Sequence, residues 1–213
     1  MRKDILESWL AGQGYALTLT QYQQLAKYQQ LVLAAPMNLT AIKTDEDFAV
    51  KHFIDSLTIL PWLQNGAKCI DIGTGAGFPG VPMKVACPEI NLTLLDSLQK
   101  RVLFLRGAVA KLGFADIECV HARVEDFARK KAAAYDLAVA RAVAKLPKLV
   151  EYALPLVKPG GVFLAMKGPD VSQEIKDAKP VLDKFGACVE EFVRVEIAPG
   201  MVHTVVAVRV LHK

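Results

Sequence analysis

From Lys68 onward, short apolar runs alternate with amphipathic stretches along the chain. This alternation is typical of repeated β-α units, which build a mostly parallel sheet covered by helices. Apolar residues also recur at intervals of three and four between Leu98 and Leu112, which predicts a helix that ends at Gly113. The pattern predicts five strands, at residues 68–72, 91–96, 116–120, 135–140 and 161–167.

The pattern changes after a further helix that we predict near residues 171–185. Two long β-rich runs flank the tetrapeptide "APGM", and they predict two antiparallel strands joined by a turn. A dinucleotide-binding domain would continue with parallel units, whereas class I methyltransferase domains characteristically end in such a hairpin. The predicted fold class is therefore α/β, a Rossmann-like doubly wound sheet of the class I methyltransferase type with a C-terminal antiparallel hairpin.

Residues 1–65 have a helical pattern without a low-complexity linker. The clearest helix is "LTQYQQLAKYQQLVLAAP", which ends at Pro36, and further helices are predicted at 45–51 and 52–63. We expect a single domain over 1–213, in which this helical N-terminal extension packs as a lid on a Rossmann-like core at 66–213. The predicted buried side of the clearest helix carries Tyr22, Leu25, Tyr28 and Val32.

Composition narrows the class of protein further. The chain has 213 residues, of which 53% are hydrophobic and 23% charged, and this balance fits one sizeable globular core. The formal charge of +4 permits an acidic partner such as RNA without requiring one. With no signal-peptide pattern and no long apolar run, we expect a cytoplasmic protein without membrane association. The four cysteines are far apart and lack a C-x-x-C pair, so we expect buried reduced thiols and no metal site.

The stretch "DIGTGAGFPG" at 71–80 predicts a loop that something approaches closely, because glycine puts no Cβ in a ligand's way. It contains two overlapping motifs. Gly73, Gly75 and Gly77 form G-x-G-x-G, while Gly75, Gly77 and Gly80 form the G-x-G-x-x-G of dinucleotide sites. The glycines alone do not decide between S-adenosylmethionine and a nicotinamide cofactor.

Residues around the glycines favour S-adenosylmethionine. Pro79 and Pro82 fall in the first turn of the next predicted helix, where they remove N–H donors that a pyrophosphate would use. Asp71 precedes the glycines, where methyltransferases commonly carry an acidic residue. Asp96 ends the second strand and can accept both ribose hydroxyls of a bound nucleoside. The alternative role for Asp96 is to cap the following helix.

Two later stretches complete the predicted pocket. In "ARVEDF" at 122–127, Val124 can pack on an adenine ring while Glu125 or nearby amides meet its polar edge, although acidic residues also favour a helix start. Arg141 and Lys167 end the fourth and fifth strands without an N-P-P-Y motif or a nucleophilic cysteine. Such a site suits an acceptor that already exposes a lone pair, and guanine N7 is compatible with it but not selected by it.

Seven motifs follow one another along nearly the whole chain. They are "PMNLTAI" (36–42), "HFIDSL" (52–57), "DIGTGAGFPG" (71–80), "LLDSLQKRVLFL" (94–105), "ARVEDF" (122–127), "ARAVAKL" (140–146) and "LAMKG" (164–168). Together they resemble those of one family, the bacterial guanine-N7 methyltransferases of small-subunit ribosomal RNA, also called glucose-inhibited division protein B. The resemblance implies methylation of a guanine N7 in 16S ribosomal RNA, free or in the small subunit, with S-adenosylmethionine in the cytoplasm.

The resemblance also implies site residues. Phe78 departs from the leucine expected at its position, which changes the shape of the methionine pocket. Asn38 and His52 could instead hydrogen-bond the lid to the core, and His52 is disfavoured as a base because N7 carries no proton to remove. The implied cofactor contacts are Gly73, Phe78, Val124, Glu125 and Arg141, to which the fold adds Gly75, Gly77 and Asp96. The candidate RNA contacts are Lys100, Arg101, Arg123, Lys145 and Lys167, with Asn38, Thr40 and His52 from the lid.

Two other functions stay open at the level of sequence. A NAD(P)-dependent oxidoreductase would use the G-x-G-x-x-G motif, but it needs a catalytic acid-base residue that is hard to find in the sequence. A non-catalytic, nucleoside-binding ribosome-assembly factor would keep the pocket without the chemistry, and the intact Asp71, Gly73 and Asp96 argue against it.

Overall fold

The computed structural model describes residues 1–212 and contains one seven-stranded sheet. The strand order is β3-β2-β1-β4-β5-β7-β6, in which β7 runs antiparallel to both of its neighbours. The last strand in the sequence thus lies between two earlier ones. The strands are β1 Lys68–Ile72, β2 Asn91–Asp96, β3 Ile117–His121, β4 Tyr135–Arg141, β5 Val157–Lys167, β6 Ala187–Ala198 and β7 Met201–Val210.

The predicted α/β class and the C-terminal hairpin are confirmed. The five predicted strands are all present, with small shifts at their ends. The largest shift is in β5, which begins at Val157 because that residue already pairs with Tyr135 on β4 before a register irregularity. The β6–β7 turn falls at Pro199 and Gly200, and Gly200 has a φ of +74°.

The helices of the sheet region cover its two faces. Helix α6 ends as predicted, because Gly113 adopts a left-handed conformation with a φ of +80°. Pro79 lies one residue before α5 instead of within its first turn, while Pro82 is the third residue of that helix. The helices are α5 Gly80–Ala86, α6 Gln99–Leu112, α7 Val124–Lys130, α8 Leu146–Ala153 and α9 Ser172–Phe185, with a 3-10 turn at Leu154–Leu156.

The N-terminal extension is helical and contains an unusual segment. Helix α2 begins with a capping box formed by Thr18 and Gln21. The two helices predicted at 45–51 and 52–63 are one nearly continuous run that passes through a π-helical segment, a geometry that often marks functional sites. We call residues 45–62 the lid segment. The elements are α1 Lys3–Gly12, α2 Leu19–Leu33, α3 Asp45–Phe48, the π-helical Ala49–Ile54, α4 Asp55–Leu57 and a 3-10 turn at Leu60–Trp62.

Two apolar clusters flank the sheet. One contains the buried residues of α1, α2 and the lid segment together with those of α5 and α6, so the extension shares a core with the sheet. The other lies beneath α7, α8 and α9.

Cys69 and Cys119 are buried as predicted, but Cys188 is exposed because it lies on the edge strand β6. Across the described residues, every helix is too short or too polar to cross a membrane.

Candidate functional site

The loop after β1 contains glycines of two kinds. Gly73, Gly75 and Gly77 all have positive φ, at +67°, +59° and +85°. A Cβ added to Gly75 would meet only the carbonyl oxygen of Gly73, at 3.9 Å, so the space beside this residue is open. A Cβ on Gly77 would collide with the Tyr28 hydroxyl, so Gly77 permits packing against α2. Gly75 is therefore the position where a ligand can approach the backbone.

Gly80, the third glycine of the dinucleotide motif, lies away from this open space. A Cβ there would meet the Leu94 side chain and would lie 2.8 Å from Oδ2 of Asp71. This packing supports the G-x-G-x-G interpretation, in which Gly80 only allows α5 to begin close to the sheet.

The side chain of Asp71 holds the shape of the glycine loop through hydrogen bonds. Its side chain is fully buried, and Oδ2 accepts hydrogen bonds from the Thr74 hydroxyl at 2.6 Å and the Gly80 amide at 2.8 Å. Oδ1 has no hydrogen-bond partner within residues 1–212. Burial raises the pKa of Asp71 to about 6, and the two hydrogen bonds offset part of that rise. Asp71 thus fixes the shape of the glycine loop, but its burial removes the carboxylate from water and so disfavours its charged form.

This cost predicts a pH-dependent stability. Between about pH 4 and about pH 6 the unfolded chain loses the Asp71 proton while the folded chain keeps it, so this group's contribution falls as pH rises. We expect the unfolding free energy of Asp71→Asn, relative to wild type, to rise by about 2–3 kcal/mol over that window. Urea unfolding of both proteins across the pH range measures it, and a difference that does not change with pH would contradict it.

Asp96, the predicted ribose ligand, lies beside the open loop. Its buried carboxylate accepts hydrogen bonds from the Gly75 amide at 2.9 Å and from the Leu98 amide at 2.8 Å, just before α6. Arg101 approaches Oδ2 at 3.4 Å. The predicted helix cap is not formed, because the N-cap of α6 is Leu98 and no side chain caps this helix; Asp96 instead holds the turn before α6 and borders the glycine loop.

A cavity of about 240 Å³ is lined by Leu95 and Ser97, the residues on either side of Asp96, and we call it the β3-side cavity. It brings together four of the predicted residues, Gly73, Arg123, Val124 and Glu125, from the loops after β1 and β3. Apolar walls with a carboxylate at the rim suit an aromatic ring with a polar edge. The other lining residues are Ile72, Ala122, Val143, Ala144 and Tyr152.

A second cavity, of about 450 Å³, lies at the ends of β4, β5 and β7, and we call it the β5-side cavity. Arg141 lines this cavity and donates hydrogen bonds to the Asp55 carboxylate at 2.8 Å and to the carbonyl oxygen of Lys51 at 3.0 Å. Because both partners belong to the lid segment, Arg141 joins the lid to the sheet. The cavity is lined by Lys51, His52, Asp55, Arg141, Ala142, Met166, Lys167, Gly168, Asp170, Glu174 and His203.

His52 of the lid segment stacks on Phe78 of the glycine loop. Their ring centroids are 4.3 Å apart and the rings are nearly parallel, at 7°. His52 also contacts the Thr40 hydroxyl at 2.8 Å and the Arg141 guanidinium at 3.4 Å. Burial and then the charge of Arg141 lower the pKa of His52 to about 4. His52 is therefore uncharged at neutral pH, and its contact with Arg141 is the lid-to-core hydrogen bond predicted for it, whereas Asn38 is exposed.

Phe78 lies in an aromatic cluster instead of on a cavity wall. It is 4% exposed, contacts Tyr28 and Phe48, and lines neither the β3-side nor the β5-side cavity. The Arg141 guanidinium lies 5.4 Å from its ring centroid. Its position indicates that Phe78 supports the loop and Arg141 from beneath.

The five basic residues predicted to contact RNA lie at or just after the carboxyl ends of strands, which meet at one edge of a parallel sheet. Lys100, Arg123 and Lys145 are exposed there, whereas Arg101 is half-buried against Asp96. Lys167 is largely buried, paired with Glu174 at 2.8 Å and bonded to the Ala144 carbonyl oxygen at 3.0 Å. In the N-terminal extension, ahead of the lid segment, Asn38 is exposed and the Thr40 hydroxyl is hydrogen-bonded to His52.

Sequence reasoning missed two residues of the β5-side cavity. Asp55 accepts a hydrogen bond from His203 at 2.7 Å as well as from Arg141, and it is 3% exposed. Asp55 falls within "HFIDSL", but nothing local indicates its partners. His203 lies at the start of β7, next to the residue that pairs with Lys167, so strand register could have placed it near the site.

A larger cavity, of about 790 Å³, lies at the opposite edge of the sheet. It is lined by residues at the amino ends of β1, β4 and β5, and four of its charged groups are already paired, Lys158 with Asp136 and Arg209 with Glu190, each at 2.7 Å. Ligands of doubly wound sheets bind at the carboxyl ends of strands, so this cavity is a weaker candidate than the two described above.

Comparison with known proteins identifies the family. A family model described as rRNA small subunit methyltransferase G, or GidB, matches residues 21–198. The chain belongs to the rRNA small subunit methyltransferase G family. It is 45% identical over 201 residues to the protein of that name from Alkaliphilus oremlandii, covering 92% of this chain and 84% of the relative. It is 47% identical to that of Desulforamulus reducens over 184 residues, which covers 83% and 77%.

Solved structures of methyltransferases share the fold. P. horikoshii TYW2 in complex with MeSAdo superposes with a TM-score of 0.64 at 14% identity, over 83% of this chain and 67% of that one. TrmN from Thermus thermophilus gives 0.62 at 18% identity, over 86% and 52%. The family resemblance inferred from the sequence is confirmed, the chain is an rRNA methyltransferase, and the oxidoreductase alternative is set aside.

Proposed function

We propose that this chain transfers a methyl group from S-adenosylmethionine to N7 of a guanine in 16S ribosomal RNA, free or within the small subunit, in the cytoplasm. The observation that carries the proposal is the open backbone of Gly75, whose amide is bonded to the Asp96 carboxylate, in the same loop whose Gly73 lines the β3-side cavity. Membership in the rRNA small subunit methyltransferase G family supports the RNA substrate.

The residues present fit S-adenosylmethionine. Gly75 would let the ligand approach the backbone, Gly73 lines the β3-side cavity, and Asp96 would accept the ribose hydroxyls, whereas Gly77, also predicted to contact the cofactor, packs against α2. Val124 and Glu125 would hold the adenine ring in the β3-side cavity. Arg141, with Phe78 packed beneath it, would border the methionine portion. When bound, the cofactor supplies a sulfonium methyl whose S–C bond breaks as N7–C forms, leaving a thioether and a cationic guanine.

Alignment is the main contribution expected of the chain's own residues. Guanine N7 presents a lone pair and no proton, so the acceptor needs no general base. His52 is neutral but has both ring nitrogens in contact with Thr40 and Arg141, which agrees with a structural role. The β5-side cavity adjoins Arg141 and Met166 at the strand ends and is where we place the acceptor base.

RNA binding would rest on exposed basic residues at the same edge. Lys100, Arg123 and Lys145 are exposed and can reach phosphates, whereas Arg101 and Lys167 are engaged by Asp96 and Glu174. Because phosphate contacts release counterions, RNA affinity is expected to fall as salt rises.

The deciding experiment is a methylation assay with isotopically labelled S-adenosylmethionine. The protein is incubated with naked 16S RNA and, separately, with small subunits from a strain that lacks the enzyme, and the labelled position is mapped. Label on guanine N7 in either substrate is the expected result. Label on another atom would overturn the N7 assignment, and absence of label from both would favour the non-catalytic assembly factor.

The ribose role of Asp96 makes a separate prediction. Asp96→Asn keeps an acceptor oxygen for only one of the two backbone amides, those of Gly75 and Leu98, and it removes the charge that strengthens hydrogen bonds from the ribose hydroxyls. We expect S-adenosylmethionine affinity to fall by about 1.5–3 kcal/mol, measured by titration calorimetry. Asp183→Asn, on the exposed side of α9, is the matched control and should bind as wild type. Unchanged affinity in Asp96→Asn would show that the ribose lies elsewhere.

A further inference from the structure

The β5-side cavity contains an imidazole held in one orientation. Nδ1 of His203 lies 2.7 Å from Oδ1 of Asp55, whose other oxygen accepts from Arg141 at 2.8 Å. Although burial opposes it, the hydrogen bond from His203 and the charge of Arg141 lower the pKa of Asp55, so the carboxylate is ionised. It can only accept, and Nδ1 of His203 therefore carries the proton. Nε2, on the far side of the ring, is left for an occupant of the cavity.

Asp55 is well suited to hold that ring. It is 3% exposed, and its two oxygens receive donors from β4 and from β7, so the carboxylate is fixed from two sides. His203 itself is partly exposed, with 35% of its side chain accessible, and lines the cavity. A carboxylate that fixes one nitrogen of an imidazole determines where the other nitrogen points.

Guanine recognition at this site has a particular requirement. On the edge that carries N7, guanine offers two acceptors, N7 and O6, and adenine replaces O6 with an amino donor. N7 has to stay free to receive the methyl, so a bidentate arginine, the common reader of guanine, would block the reaction. A single donor directed at O6 would distinguish guanine from adenine and leave N7 unoccupied.

The other cations of the cavity, Lys51, Arg141 and Lys167, are already engaged, and Lys51 is paired with Asp47 at 2.6 Å. The guanidinium of Arg141 is bonded to Asp55, to the Lys51 carbonyl oxygen and to His52. Lys167 is largely buried between Glu174 and the Ala144 carbonyl oxygen. His203 also lines the cavity, and its hydrogen bond to Asp55 uses only Nδ1. Its second ring nitrogen, Nε2, is left for a ligand.

We propose that His203 reads O6 of the target guanine through its Nε2–H, and that Asp55 is the residue that positions it. This proposal rests on the guanine-N7 activity proposed above. It names a specificity-determining residue on the C-terminal hairpin, and it gives the "HFIDSL" aspartate a role in base recognition.

The donor form of Nε2 requires a protonated imidazole, and the surroundings favour it. The hydrogen bond to Asp55 raises the pKa of His203, while burial and the charge of Arg141 act against that rise. The other charged groups that line the cavity are Lys51 of the lid segment, Lys167 of β5, and Asp170 and Glu174 after β5, while His52 is neutral. Protonation, and with it the donor, is therefore lost as pH rises through the raised pKa.

The test compares two RNAs that differ only at the mapped target base, guanine or 2,6-diaminopurine, which carries an amino group in place of O6. We expect His203→Asn, which keeps a donor for Asp55 but lacks Nε2, to lower kcat/KM on guanine by about tenfold to a hundredfold. The preference for guanine should collapse with it, while S-adenosylmethionine affinity stays unchanged. His212→Asn, at the opposite edge of the sheet, is the matched control and should keep both values.

A second measurement needs no variant of His203. In the wild type, the preference for guanine should fall as pH rises through the raised pKa of His203, and Asp55→Asn should move that fall to lower pH. A preference that is independent of pH, or that survives intact in folded His203→Asn, would overturn the proposal. Either result could occur with normal N7 methylation, so it is distinguishable from failure of the proposed activity, in which N7 carries no methyl with any variant.

Discussion

Gly75→Val is expected to abolish S-adenosylmethionine binding while the protein stays folded. The new side chain would project into the open space beside the loop, where only the Gly73 carbonyl oxygen comes within 4 Å, at 3.9 Å. In the folded state the valine has to adopt the positive φ of +59°, which should lower the free energy of unfolding by only about 1–3 kcal/mol. Titration calorimetry should detect no binding under conditions that saturate the wild type, and circular dichroism should show a native spectrum.

Substitutions at two other glycines distinguish the effect of backbone strain from the loss of space for the cofactor. Gly66→Val is the matched control, since Gly66 has a φ of +77° in an exposed turn at the opposite edge with nothing within 4 Å of its added Cβ. It should lose similar stability and bind the cofactor normally. Gly77→Ala should instead destabilise the fold, because its Cβ would collide with Tyr28 and lie 2.9 Å from Leu105. Wild-type affinity in Gly75→Val would exclude this loop as the binding surface.

Arg141→Met is expected to lower the free energy of unfolding by about 3 kcal/mol and to abolish methyl transfer. The substitution removes one of the two cationic donors to Asp55, a carboxylate whose side chain is only 4% exposed. It also releases the Lys51 carbonyl oxygen and the contact with His52, so the lid loses its link to β4. Urea unfolding measures the stability, and the assay with labelled cofactor measures the activity.

A double-mutant cycle tests whether the buried charge is the cause. In an Asp55→Asn background, Arg141→Met should cost clearly less than it does in the wild type, because no unpaired carboxylate remains. Arg209→Met is the control for loss of an arginine–carboxylate pair at a half-exposed position, where Glu190 lies 2.7 Å away, and it should cost less than about 1 kcal/mol. Equal costs of Arg141→Met in both backgrounds would refute the argument.

The sequence predicted much of this architecture because its signals are local. Strand runs bounded by turn residues, the periodicity from Leu98 to Leu112 and the "APGM" turn each depend on neighbours along the chain. The β3-side cavity was foreseeable for a similar reason. In a parallel sheet the residues that follow consecutive strands meet at one edge, so Asp96, Val124 and Glu125 were certain to lie near the glycine loop once the strands were assigned.

The β5-side cavity could not be predicted in the same way because its contacts are long-range. Asp55 and His203 are 148 positions apart, and their meeting depends on the π-helical turn of the lid and on β7 pairing with β5. Phe78 was predicted to contact the cofactor on family grounds, yet its burial follows from how α2 and the lid pack over the loop. Propensity and spacing carry no information about such packing.

The position of β7 in the sheet has a consequence for how the molecule is made. Because this strand is the last in chain order but lies between β5 and β6, a nascent chain cannot complete its sheet edge until β7 has been synthesised and has entered between them. The lid segment, synthesised long before, has to wait for His203 to arrive before Asp55 acquires its second donor. During synthesis the β5-side cavity is therefore completed after the glycine loop, so a nascent chain would gain its nucleoside pocket before its pocket for the base.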